Sequence, residues 1–168
     1  MIATFALLGF VTLERLGELL LARHNTRTLI AKGAYEASPG HYPLIVVVHA
    51  VWLAGMWVFA GDRPIAAEWF AVFILLQGMR LWVLATLGER WTTRIIVLPG
   101  RPLVRTGPYR IFSHPNYVVV VGEIAILPLC FGLVWYSLVF SLINALVLAV
   151  RIRTENSELL ELRRDAGA

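Results

Sequence analysis

Charge is scarce in this chain of 168 residues, where Asp, Glu, Lys and Arg make up 15% and hydrophobic residues 58%. Mean hydropathy is +0.71. A soluble domain of this size carries more charge, so the composition excludes that class and predicts a membrane protein. Cysteine is almost absent. Cys130 stands alone, which excludes intrachain disulfides and cysteine-rich zinc sites. The first apolar region lacks a basic leader and a small-residue cleavage site, and Glu14, Arg15 and Glu18 interrupt it, so it is expected to stay in the mature protein rather than act as a secretory signal. There is no internal repeat and no low-complexity segment. The length suits one compact bundle, a single domain over residues 1–168.

What is present is a series of apolar regions separated by Pro, Gly and charge. Crossing about 30 Å of hydrocarbon takes roughly 20 helical residues. The regions 1–21, 43–60 and 66–87 each suit one span. The run from Tyr117 to Val150 is too long for one and predicts two short helices, about 117–131 and 136–150, turning near Phe131 to Ser137. An all-α integral membrane fold of about five helices follows, the last two a tight hairpin.

Short cytoplasmic loops are enriched in Arg and Lys. Five spans put Arg23, Arg27 and Lys32, then Arg90, Arg94, Arg101, Arg105 and Arg110, then Arg151, Arg153, Arg163 and Arg164 on one side, leaving only Arg63 on the other. The expected orientation has the N-terminus outside and the C-terminus cytoplasmic, in a bacterial plasma membrane. Topology accounts for the net charge of +4, and nucleic acid need not be invoked.

Ionisable residues inside spans are costly and face partners, cavities or ligands. Glu14 and Glu18 share a helix face, with Arg15 three residues before Glu18, so an ion pair within one turn is expected. These residues are read either as structural pairing or as the wall of a polar site that meets Arg80. His49 is read as an interhelical hydrogen-bonding residue or as part of a substrate site, and Gln77 and Asn144 as interhelical hydrogen-bonding residues. Trp57, Trp69, Trp135 and Tyr136 fall where spans meet the outer interface, whereas Trp52, Trp82 and Trp91 are candidates to line a lipid-accepting cavity.

The segment from Gly88 to Asn116 differs in kind. Prolines at 99, 102, 108 and 115 and five arginines predict an ordered, non-helical connection that caps the bundle. At its end, Ser113-His114-Pro115-Asn116-Tyr117 starts a helix that carries Glu123. A His-Pro pair there can aim the imidazole and free backbone amides at one ligand. On the same side, Arg151-Ile152-Arg153-Thr154-Glu155 continues the last span as a charged helix. Both segments can close over one polar ligand.

The run Gly107-Pro-Tyr-Arg-Ile-Phe-Ser-His-Pro-Asn-Tyr, with Glu123 and the later Arg-Ile-Arg-Thr-Glu, resembles the C-terminal signature of the isoprenylcysteine carboxyl methyltransferase family. These are integral membrane enzymes that use S-adenosylmethionine. The family pattern has an arginine where Ser113 stands and a second glutamate where Asn156 stands, and its ending rich in Phe-Gly and Tyr is absent. Glu14-Arg-Leu-Gly-Glu-Leu, Ala22-Arg-His-Asn and His41-Tyr-Pro-Leu resemble a short bacterial branch associated with alkylpyrone and alkylresorcinol O-methylation, often encoded near type III polyketide synthases.

The resemblance implies that His114, Pro115 and Tyr117, with Arg151 or Arg153 and Glu155, bind the cofactor, and that Arg110 replaces the arginine missing at 113. It implies Glu123 beside the acceptor, with His114 or Glu123 as candidate bases. Glu14, Glu18, His49, Arg80 and Trp82 complete the candidate acceptor site. Methyl transfer from a sulfonium needs positioning and a dry cavity, not a metal. A pyrone or carboxylate acceptor is largely anionic near neutral pH, whereas a resorcinol, with a pKa of about 10, gains from a base. The expected activity is O-methylation of a phenolic or pyrone polyketide lipid entering from the bilayer, with prenylcysteine carboxyl methylation as the near alternative. A nicotinamide-dependent membrane reductase and a non-catalytic lipid-binding subunit are the remaining classes.

Overall fold

The computed structural model describes residues 2–37, 40, 42–102 and 104–165, with side chains as far as Arg153. Five helices carry the fold: α1 (Ile2–Ala31), α2 (Tyr42–Phe59), α3 (Ala67–Leu87), α4 (Pro115–Cys130) and α5 (Val134–Asp165). Two short strands, β1 (Tyr35–Glu36) and β2 (Ile96–Val97), pair antiparallel, with Tyr35 opposite Val97 and Glu36 opposite Ile96. The chain is mostly helical, as its composition predicts. The ribbon is an addition that the helical reading did not contain.

The sequence of α2, the stretch Ala67–Arg90 and the stretch Val134–Arg153 are long and apolar enough to cross a membrane. With 16 residues, α4 rises only about 24 Å, short of a full hydrocarbon core. One helix runs past its expected end: the first continues ten residues beyond the apolar region to Ala31. The last continues without a break from the bundle into the charged tail, as expected.

The expected turn between the last two helices is confined to Phe131, Gly132 and Leu133. Pro128 has no N–H to donate, and its carbonyl accepts from the amides of Phe131 and Leu133, both at 3.0 Å. Gly132 supplies the left-handed φ of 67° at which the chain reverses. Ser137 then donates its hydroxyl to the Ala125 carbonyl at 2.8 Å, closing the hairpin.

One half of the bundle is a conventional apolar core. Leu8 and Val11 of α1, Trp52 and Met56 of α2, Phe73 of α3, and Ile124 and Leu127 of α4 are all buried together. Gly55 lets Tyr136 cross α2 closely, where a Cβ would overlap the phenol, and the hydroxyl donates to the Trp52 carbonyl at 2.7 Å. The other half is built on polar contacts. Asn25 of α1 donates to the carbonyls of Gly88 at 3.2 Å and Trp91 at 2.8 Å, tying the first helix to the long connection after α3.

Candidate active site at the loop end of the bundle

Three helices contribute to a buried ionic cluster. All three guanidinium nitrogens of Arg80 are engaged: Nε donates to Glu123 Oε1 at 2.8 Å, one terminal nitrogen to Glu18 Oε1 at 2.5 Å, and the other to Glu123 Oε2. Arg15 bridges the same carboxylates, with contacts of 2.8 Å to Glu18 and 2.5 Å to Glu123. Gln77 donates to Glu123 Oε1 at 2.9 Å, and Glu14 lies at the edge, 3.8 Å from Arg15 and 3.9 Å from Arg80. The Arg80 and Glu123 side chains are each 3% exposed. Burying these charges is tolerable only because each meets an opposite charge and hydrogen bonds.

Gly122 permits the approach of α4 to α3, since a Cβ there would sit 2.7 Å from Leu76 Cδ2. That contact lies next to Glu123 in sequence.

Two cavities lie at this end of the bundle, the second of them lined in part by the cluster. The first, about 310 Å³, lies under the connection after α3 and is lined by residues including Arg90, Trp91, Arg94, Arg101, Tyr109, Ser113, His114, Asn116, Tyr117 and Arg151. The second, about 280 Å³, lies among the helices and is lined by residues including Arg15, Glu18, His49, Trp52, Arg80, Val120, Asn144 and Val147. Trp91, Asn116, Tyr117 and Arg151 line both. A polar chamber and a mostly apolar one therefore share a wall.

The wall is held from several directions. Pro115 occupies the first helical position of α4 and His114 precedes it as the cap residue. The His114 and Tyr117 rings stack with centroids 5.2 Å apart and planes 18° apart. Arg151 Nε donates to the Tyr117 hydroxyl at 2.8 Å, joining α5 to α4. Gly107 begins the preceding Gly107–Arg110 turn with φ 56°, and a Cβ there would overlap the Thr86 hydroxyl and sit 3.2 Å from Trp82 Nε1. Only glycine fits both the backbone and the space. Farther out, Arg94 lies 4.6 Å from the centre of the Tyr42 ring and 2.7 Å from Glu36, whose hydrogen bond holds its guanidinium above the ordinary pKa.

Residues 69–161, which hold Arg80, the connection after α3, Glu123 and Arg151, match the isoprenylcysteine carboxyl methyltransferase family. The chain belongs to that family. YpbQ, an uncharacterized protein of Bacillus subtilis (strain 168), is 36% identical over 160 residues, covering 92% of this chain and 95% of its own. An uncharacterized protein of Haemophilus influenzae is 27% identical over 154 residues, covering 88% of this chain and 90% of its own. No solved structure matches. Membership of the isoprenylcysteine carboxyl methyltransferase family makes this a membrane protein of a class that transfers methyl groups from S-adenosylmethionine.

The polar chamber fits such a cofactor. Its volume is at the lower end for small-molecule sites; Arg90, Arg94, Arg101 and Arg151 offer positive charge to a carboxylate, and Trp91, Tyr109 and Tyr117 offer rings to a base. Buried Trp91 Nε1 has no hydrogen-bond partner among the described residues, a donor left over in the wall itself.

The residues singled out from sequence divide. His114, Tyr117 and Arg151 line the polar chamber, and Glu18, His49 and Arg80 line the inner one. Glu123 does not reach either lining: it is buried at 2% exposure beneath two guanidinium groups, and its contacts towards the site run through Arg15 and Arg80. Glu14 is likewise behind the lining. Trp82 is 47% exposed and outside both cavities, because it packs beside Gly107 on another face of α3. Arg110 and Arg153 are exposed and outside the linings, and Pro115 is buried under the wall. The Glu155 side chain lies outside the described residues.

Asn116, Thr93 and Tyr42 were not foreseen as site residues. Asn116 sits inside the His-Pro-Asn-Tyr run, where its place directly after the first helical proline was the available signal. The Tyr42 hydroxyl lies 3.0 Å from Thr93 Oγ1, a pairing across a long stretch of sequence with no local signature.

Proposed function

We propose that this chain is an S-adenosylmethionine-dependent O-methyltransferase whose acceptor is a lipophilic phenolic or pyrone lipid of polyketide origin. The observation that supports this reading best is the shared wall of Trp91, Asn116, Tyr117 and Arg151 between a polar chamber and an apolar one. The two chambers suit a charged soluble cofactor and an amphiphilic acceptor meeting head to head. In this reading one domain, residues 1–168, lies in a bacterial plasma membrane with its arginine-rich end in the cytoplasm. A type III polyketide synthase is a fitting supplier of the acceptor.

When bound, the cofactor supplies an electrophilic methyl group on a sulfonium. His114, Tyr117 and Arg151 hold its polar parts, with Glu155 of the tail as a further candidate. The stacked rings and the Arg151–Tyr117 hydrogen bond keep that wall rigid, and rigidity is what an in-line displacement asks of a protein. The inner chamber is lined mostly by apolar side chains, which suits a site that keeps water from the acceptor oxygen. Arg15, Glu18 and Arg80 fix the floor of that chamber.

Prenylcysteine carboxyl methylation is the second reading, favoured by family membership. Purified protein in lipid nanodiscs, given methyl-labelled cofactor and separately an alkylpyrone, an alkylresorcinol and a prenylcysteine, decides between them. Label in the polyketide-type lipids supports the proposal; label only in the prenylcysteine overturns it in favour of the second reading.

A further inference from the structure

Among the described residues that line the inner chamber, one side chain can take up a proton without breaking an existing contact. His49 of α2 holds its Nδ1 2.8 Å from the carbonyl of Ile45, one turn earlier in the same helix. A carbonyl oxygen only accepts, so Nδ1 carries hydrogen, and in the neutral ring Nε2 keeps its lone pair. The expected interhelical bond is thus replaced by an intrahelical one that fixes the tautomer. His49 also lines the chamber that reaches Tyr117 and Arg151 at the shared wall.

The charged neighbours decide what this lone pair is for. From α1 come Glu14, Arg15 and Glu18, from α3 Arg80, from α4 Glu123 and Tyr117, from α5 Arg151, and on α2 itself Tyr42. Every guanidinium nitrogen of Arg80 already serves a carboxylate, both terminal nitrogens of Arg15 do the same, and Arg151 Nε serves Tyr117. The cluster holds formally one more carboxylate than guanidinium. Of the Arg15 and Arg80 nitrogens only Arg15 Nε is left without a partner among the described residues. A ligand that brings an acidic hydroxyl finds an acceptor in Nε2.

We propose that His49 is the general base of this enzyme and that its acceptor enters the inner chamber as a neutral, weakly acidic hydroxyl compound. The O–H bond breaks, its electron pair stays on oxygen as the nucleophile, and the proton bonds to Nε2. After turnover the imidazolium releases that proton to water. This inference rests on the O-methyltransferase reading and narrows its acceptor class.

The test separates the base from the fold. A long-chain alkyl nitrophenol, whose absorbance reports its ionisation, is bound to the nanodisc protein with S-adenosylhomocysteine present, so that no methyl transfer occurs. In wild type the bound phenol ionises at lower pH than in His49→Gln, by roughly one pH unit or more, as loss of a positioned base predicts. Identical ionisation curves overturn the base assignment. In a second arm, His49→Gln lowers methylation of an alkylresorcinol roughly 100-fold, the range of general base catalysis. It lowers methylation of the nitrophenol, already ionised at alkaline assay pH, by less than about threefold. Equal losses on both acceptors make His49 structural and overturn the proposal. Failure of wild type to methylate any hydroxyl acceptor while binding the probe contradicts the function reading, and the absorbance arm still decides the base.

Discussion

The ionic cluster of Arg15, Glu18, Arg80 and Glu123 and the ion pairs around the long connection use the same chemical groups to different ends. Lys32 and Glu89 meet at 2.5 Å with side chains 49% and 67% exposed, whereas Arg80 and Glu123 meet with both at 3%. An exposed pair exchanges water for a screened partner, and little is gained. A buried group has no water to return to, so removing one partner strands the other. Contact distance alone does not rank them; burial does. The cluster joins α1, α3 and α4 and so sets the floor of the inner chamber, while the outer pairs only dress the connection.

The sharpest way to break this contrast is Arg80→Met. It leaves Glu18 and Glu123 to share Arg15 as their remaining cation and is expected to cost about 3–5 kcal/mol, the usual range for breaking a buried pair. The loss is read as a large drop in the thermal unfolding midpoint in detergent. Arg80→Lys is expected to recover little, because one ammonium cannot reproduce three directed nitrogens. Unfolding midpoints near wild type for both variants contradict the account of the cluster.

Gly107→Ala comes next. Its left-handed φ of 56° and the nearby Thr86 hydroxyl leave no room for a Cβ, so a loss of about 1–3 kcal/mol is expected from overpacking and backbone strain. Hydrogen exchange localised to the Gly107–Arg110 turn checks it, and unchanged exchange there counts against the packing described.

The smallest effect belongs to Lys32→Ala. It removes the exposed pair with Glu89, and no resolvable change in the unfolding midpoint is expected, at low or high salt. A drop comparable to that of Arg80→Met removes the distinction between the two regions.

Much of this arrangement was legible in sequence. Apolar regions gave the helices, and Arg15 lies three residues before its partner Glu18, as helical spacing predicts. The meeting of Glu18 with Arg80 followed from the cost of leaving either unpaired in a span. Glu123 entering the same cluster did not follow, since its 43-residue separation from Arg80 leaves no periodicity to read. His49 shows the opposite failure: a histidine within a span suggested a partner on another helix, yet a carbonyl one turn away satisfies one nitrogen. Trp82 was misplaced because apolar residues surround α3, so composition did not say which face meets the cavity. The β1–β2 ribbon escaped because two-residue strands carry no alternation, and the two lie 60 residues apart in the sequence.

The central claim is that the polar chamber beside Tyr117 and Arg151 receives the methyl donor. Isothermal titration of S-adenosylhomocysteine into the detergent-purified protein tests it most directly, with Arg151→Leu as comparison. Saturable binding to wild type, weakened roughly tenfold or more in Arg151→Leu as expected for loss of a charge-assisted contact, is the predicted result. A folded wild-type protein that takes up no S-adenosylhomocysteine, or an Arg151→Leu variant that binds it equally well, contradicts that placement of the cofactor.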